Sequence, residues 1–94
     1  MKLWTVWSDY GATGEGRTLS ACIVYADSAE SAISKFTTTV PGGDFYGLGA
    51  EAEEGVAQNY VTEYLFGKST FSFCEKNDGH ANIVAIAQLH FNFS

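Results

Sequence analysis

Basic charge is what this chain has least of. Its 94 residues hold five Lys and Arg against eleven Asp and Glu, a net charge of −6. Binding to nucleic acid or to an anionic membrane needs clustered cations, so the sequence argues against both. Cysteine is scarce as well. Cys22 and Cys74 are too few for a disulfide scaffold, and each falls in a predicted strand, where a free thiol behaves as a small buried hydrophobe. The two histidines, His80 and His90, lie far apart, with no Cys or His at metal-ligand spacing, so no metal is expected. No apolar run reaches the ~18 residues of a membrane span. The apolar run at the start of the chain is too short for a signal peptide. The cytoplasm is the expected location.

What the chain does have is apolar and aromatic surface. Hydrophobic residues make up 46% and aromatics 15%, as in a folded domain. Residues 1–94 read as a single domain. A chain of this size buries roughly 60–65% of its unfolded surface, enough for one modest core.

Leu3, Trp4, Val6 and Trp7 predict a strand over residues 2–9. Tyr10 to Arg17 carries three glycines and reads as a mobile hairpin loop. It lacks the Gly-Lys-Ser/Thr ending of a phosphate loop. The second strand, residues 18–26, carries Leu19, Ala21, Ile23 and Tyr25 on one row and Cys22 and Val24 on the other. A helix follows, with Asp27 and Glu30 as a carboxylate capping box and a stripe of Ala29, Ala32, Ile33, Phe36 and Val40. Thr37, Thr38 and Thr39 weaken its end and Pro41 stops it. Residues 41–53, with four glycines, predict a loop or a short irregular strand. Residues 54–66 predict a second helix with Ala57, Tyr60, Val61, Tyr64 and Leu65 as its apolar stripe and Gly67 past its end.

The last unit reads as a hairpin. Its first strand spans residues 70–75, its loop is Asn77-Asp78-Gly79, and its second strand runs from Asn82 to Ser94. Ile83, Ala85, Ala87, Leu89, Phe91 and Phe93 form one wholly apolar row of that last strand. Such a row suits a central strand pointing at the helices. The expected architecture is α+β: a four-stranded, mostly antiparallel sheet in the order β-β-α-α-β-β, with both helices on one face.

Catalytic signals are weak. Cys22 or Cys74 with His90 would make a thiol site, but nothing in the sequence brings either thiol to that imidazole. Glu51, Glu53 and Glu54 do not match a calcium loop. The reading that remains is non-enzymatic. From Phe36 to Phe66 there are five acids and no base. Asp44, Glu51, Glu53, Glu54 and Glu63 share that segment with Phe45, Tyr46, Tyr60 and Tyr64. Carboxylates there would pair with Lys and Arg of a partner, and aromatics would anchor it. The partner-binding set is therefore Asp44, Phe45, Tyr46, Glu51, Glu53, Glu54 and Glu63. Tyr60 and Tyr64 are divided between this surface and the core, since both fall on the apolar stripe.

A small, acidic, single-domain chain without catalytic motifs resembles the phage-encoded anti-CRISPR proteins. The run of a strand, a helix opened by Asp27-Ser-Ala-Glu-Ser-Ala-Ile33, then Gly42-Gly-Asp-Phe-Tyr-Gly-Leu48, is similar to members that act on type I systems. The likeness covers residues 18–50 and assigns no residue a role. It implies an inhibitor, acting in the host cytoplasm without a cofactor, that binds a CRISPR effector complex and occupies its basic DNA-binding surface. Two other classes stand beside it. One is a self-associating structural or adaptor domain that buries Val84 and Ile86 in a homodimer. The other is a small thiol enzyme built on Cys22 or Cys74 with His90.

Overall fold

The computed structural model describes residues 1–11, 16–40, 42, 49–67 and 82–92. In chain order the elements are β1 (Lys2–Tyr10), β2 (Gly16–Ala26), α1 (Ala29–Thr39), β3 (Glu51–Glu54), α2 (Tyr60–Phe66) and β4 (Ile83–Asn92). The strands form one antiparallel sheet in the order β3-β1-β2-β4, an α+β architecture as expected. The expected strand over residues 70–75, with Cys74, and its loop lie outside the described residues, as does Phe93.

β1 and β2 form the expected hairpin, with Val6 opposite Cys22 and Trp7 opposite Ala21. β1 and β2 are the strands flanked on both sides, and along β2, between β1 and β4, Thr18 through Val24 are all buried. The last strand, expected to be central, stands at the end of the described sheet instead. The reason is visible in the side chains. β2 is buried on both parities, with the polar Thr18 and Ser20 among its buried residues, as a strand covered on both faces must be. β4 turns polar on one parity at Gln88 and His90, and of its described side chains only Ile83 is buried.

The helices also depart from expectation, because they lie on opposite faces of the sheet. Val6, Cys22, Val24 and Ala26 share one face and pack with Ala32, Phe36 and Val40 of α1. Trp7, Leu19 and Ala21 share the other and pack with Val61, Leu65 and Phe66 of α2. Alternation of side chains along β1 and β2 separates the two sets. The two apolar parities of β1 and β2 each need a cover, and each receives one helix.

β4 serves both. Its ladder with β2 shifts between Ile23, opposite Ala85, and Val24, opposite Ile83. The extra residue moves the apolar row from one face to the other. Ile83 therefore joins the α1 cluster, while Phe91 packs with the α2 cluster.

α1 buries the predicted stripe at Ala32, Phe36 and Val40. Its cap is Ser28, whose side chain accepts from the Ser31 amide at 3.1 Å, in place of the expected Asp27. Both residues favour that position, and the helix begins one residue later than the Asp27 box requires. The threonine run stays helical through Thr39. The Thr37 and Thr38 hydroxyls donate to the Ser34 carbonyl at 3.0 and 2.9 Å. Val40 ends the helix by donating its amide to Phe36.

Glu51–Glu54 is a strand paired with β1, where a loop or a short irregular strand was expected through residue 53 and a helix start at 54. α2 accordingly begins six residues later than predicted, at Tyr60. Asn59 and Thr62 set this start. The Asn59 side chain accepts from the Val61 and Thr62 amides, and the Thr62 hydroxyl accepts from the Asn59 amide at 2.8 Å. Thr5 carries the chain from the edge of the sheet onto its α2 face. Its hydroxyl donates to the Gly55 carbonyl at 2.7 Å and accepts from the Ala57 amide at 2.9 Å. Gly55 itself sits at φ +87, a conformation that favours glycine.

Candidate interaction surface

With only seven residues, α2 has room for two rows. Val61 and Thr62 are fully buried, and Leu65 and Phe66 pack beside them. Tyr60, Glu63 and Tyr64, at i, i+3 and i+4, form the opposite row. The two tyrosines are 60% and 59% exposed. The sequence left them between core and surface, and the structure puts them on the surface. The apolar stripe is thus turned by one position from the one predicted, with Thr62 taking an inward place. Thr62 can do so because its hydroxyl is consumed locally, donating to Ala57 and Asn59 carbonyls at 3.2 Å.

Both exposed rings are held. The Tyr60 hydroxyl donates to Asp9 Oδ2 at 2.8 Å, and the Arg17 guanidinium meets both Asp9 oxygens, Nε at 2.8 Å and Nη2 at 2.7 Å. Asp9 and Arg17 flank the first hairpin and lie diagonally on the α2 face, Asp9 being opposite Leu19. The Arg17 fork, helped by Tyr60, holds the Asp9 carboxyl below its ordinary pKa. Arg17 is held above its own by the same bonds. Donation to Asp9 pushes the Tyr60 phenol up, and Glu51 adds to this through its charge. The Tyr64 ring packs edge-to-face on Phe91, with centroids 5.7 Å apart and planes at 65°.

The predicted acids divide between the two sides of the sheet. Glu51 and Glu53 pair with Trp7 and Thr5 and so belong to the α2 face, as does Glu63. All three are exposed, and among the described residues none has an ion-pair partner. Glu54 alternates to the α1 side, where its carboxylate lies 3.5 Å from Lys2 Nζ. Asp44, Phe45 and Tyr46 lie outside the described residues. The surface brought together therefore consists of Glu51, Glu53, Tyr60, Glu63 and Tyr64, backed by Asp9, Arg17 and Phe91. Sequence reasoning missed Asp9 and Arg17. Their opposite charges at the two ends of the hairpin loop were the available signal.

The thiol site is not assembled from Cys22. Thr18, Ser20 and Cys22 lie along one face of β2, and His90 stands opposite Thr18 while Cys22 stands opposite Ile86. Four residues of strand, about 13 Å, separate the two positions. Burial pushes the Cys22 thiol up to about 12, which leaves almost no thiolate at neutral pH. His90 instead bonds Thr18 through Nδ1 at 2.7 Å, and the Gln88 amide donates to Ser20 at 3.0 Å. The polar end of β4 thus serves buried hydroxyls of its neighbour strand. Gly16 makes room for this imidazole, since a Cβ there would lie 2.8 Å from His90 Cε1.

Among the described residues no three His, Cys, Asp or Glu side chains gather as a metal site requires, and no helix is long and apolar enough to cross a membrane. Comparison of the chain with protein families, with characterised proteins and with solved structures finds no match.

Proposed function

We propose that this protein is a non-enzymatic acidic inhibitor that docks on the basic, nucleic-acid-binding surface of a partner complex. The observation that carries this reading is the outward row of α2. Two tyrosines 60% and 59% exposed flank Glu63, on the side of the sheet that also presents Glu51 and Glu53. Large exposed aromatics among carboxylates that have no ion-pair partner in the described residues suit a basic partner, because rings supply contact area while the acids steer and orient. The same acids repel nucleic acid itself. The class of partner, a type I CRISPR effector in the host cytoplasm, rests on the anti-CRISPR resemblance.

The test is DNA binding by a purified, guide-loaded type I effector, with and without this protein. The expected result is loss of DNA binding that Glu51→Lys, Glu53→Lys and Glu63→Lys together reverse. Unchanged DNA binding across several type I effectors would remove the proposal.

A second reading, self-association through β4, draws on Ile86, which is 42% exposed on the strand's α1-side row. It predicts a dimer in sedimentation that Ile86→Lys dissociates. A monomer at high concentration would dispose of it.

A further inference from the structure

We propose that the outward row of α2 takes an arginine side chain of its partner, the guanidinium stacking on the Tyr60 and Tyr64 rings while its N–H groups donate to Glu63. This rests on the reading of the surface as a docking face for a basic partner, and it names the group that is bound.

Three observations lead to it. The first is that both rings are exposed yet each is fixed at one end, Tyr60 by its hydroxyl on Asp9 and Tyr64 by its edge-to-face contact with Phe91. A ring already held loses little freedom when a ligand stacks on it. The second is the balance of charge on this face. Glu51, Glu53 and Glu63 have no ion-pair partner among the described residues, whereas Arg17 is already engaged by both Asp9 oxygens. Of the other described cations, Lys2 pairs with Glu54 and Lys35 belongs to α1, on the opposite side of the sheet. Among the described residues, a cation arriving here meets carboxylates without an ion-pair partner and no competing base.

The third is geometry. Glu63 and Tyr64 each stand about one helical turn from Tyr60, at i+3 and i+4, so an aromatic platform and a carboxylate are adjacent. A guanidinium is flat and weakly hydrated, and it can stack on a ring while its edge donates two parallel bonds to a carboxylate. A lysine ammonium is a compact, strongly hydrated charge that cannot do both.

The experiment is an NMR titration at low ionic strength. The probes are a nonapeptide carrying four arginines and its counterpart with lysines at the same positions. The expected result is shifts centred on Tyr60, Glu63 and Tyr64, with the arginine peptide bound at least about threefold more tightly than the lysine peptide. Tyr64→Ala should weaken the arginine peptide about tenfold, and Tyr64→Phe, which keeps the ring, should hold it close to wild type. Equal affinity for the two peptides, or a Tyr64→Ala variant that binds as well as wild type, would overturn the proposal. A matching urea midpoint for each variant keeps folding out of the comparison. Binding of the arginine peptide without any effect on an effector supports this site and removes only the proposed partner. A fully potent Tyr64→Ala inhibitor keeps the proposed function and overturns the arginine site.

Discussion

The two faces of the sheet are covered by helices of unequal length, and they are not equally closed. On one, the eleven residues of α1 and its C-cap Val40 lay Ala32, Phe36 and Val40 over Val6, Cys22, Val24 and Ala26, all buried. On the other, the seven residues of α2 bury Val61 against Leu19 and Ala21 and leave Tyr60 and Tyr64 largely in solvent. α1 spends its one aromatic residue, Phe36, on the core; α2 packs Phe66 there and displays Tyr60 and Tyr64. The difference places more of the closed core under α1, and on the proposed reading the exposed row of α2 serves recognition.

This comparison breaks first at Phe36. Replacing it with Ala empties the centre of the α1 cluster and should destabilise the protein by about 3–5 kcal/mol, read from urea denaturation. Thr62→Val is the next largest. It removes the hydroxyl that accepts from Asn59 and donates toward Ala57 inside a buried turn, for an expected loss of about 1–2 kcal/mol. A loss as large as that of Phe36→Ala would make α2 an equal partner in the core and undo the contrast. Tyr64→Ala should change stability by only about 0.5 kcal/mol, as exposed positions do, while sharply weakening binding.

The smallest effect belongs to Asp9. Its carboxyl is held below the ordinary aspartate value, chiefly by Arg17. Its bonds therefore stabilise the folded state above the ordinary value of about pH 3.9 and are lost as acid protonates Asp9 in the folded chain. Asp9→Asn should lower the urea midpoint slightly at neutral pH. The gap from wild type should close as the pH falls below that value, and it should shrink in high salt. A gap that persists at low pH would show that the carboxylate charge is not its source.

Much of this fold was legible in the sequence. The 3.6-residue stripe ending in Val40 placed α1, and the alternation around the glycine-rich loop placed the β1–β2 hairpin. The opposite placement of the helices was not read: both were expected on one face, although Trp4 and Val6 on one parity of β1 and Leu3 and Trp7 on the other give each face an apolar row to cover. The start of α2 was not legible. Ala57 fits a helical stripe by spacing alone, yet it is buried in the extended segment that Thr5 holds. Glu51–Glu54 carries no strand propensity; it pairs because Ala52 meets the α1 cluster and the β1 edge is open to it. For the candidate surface, the acids were legible as a run without bases. Their division was not, because strand alternation sends Glu54 to Lys2 and leaves Glu51 and Glu53 beside α2. Nor could spacing decide the tyrosines, since both fit an apolar stripe until Thr62 takes the inward place.

The most direct test measures two quantities on one variant. Tyr60→Ala combined with Tyr64→Ala would be compared with wild type for urea stability and for affinity toward a guide-loaded type I CRISPR effector. The account predicts a small change in stability together with loss of binding. A variant that binds the effector as wild type does, or that unfolds as readily as Phe36→Ala, would contradict it.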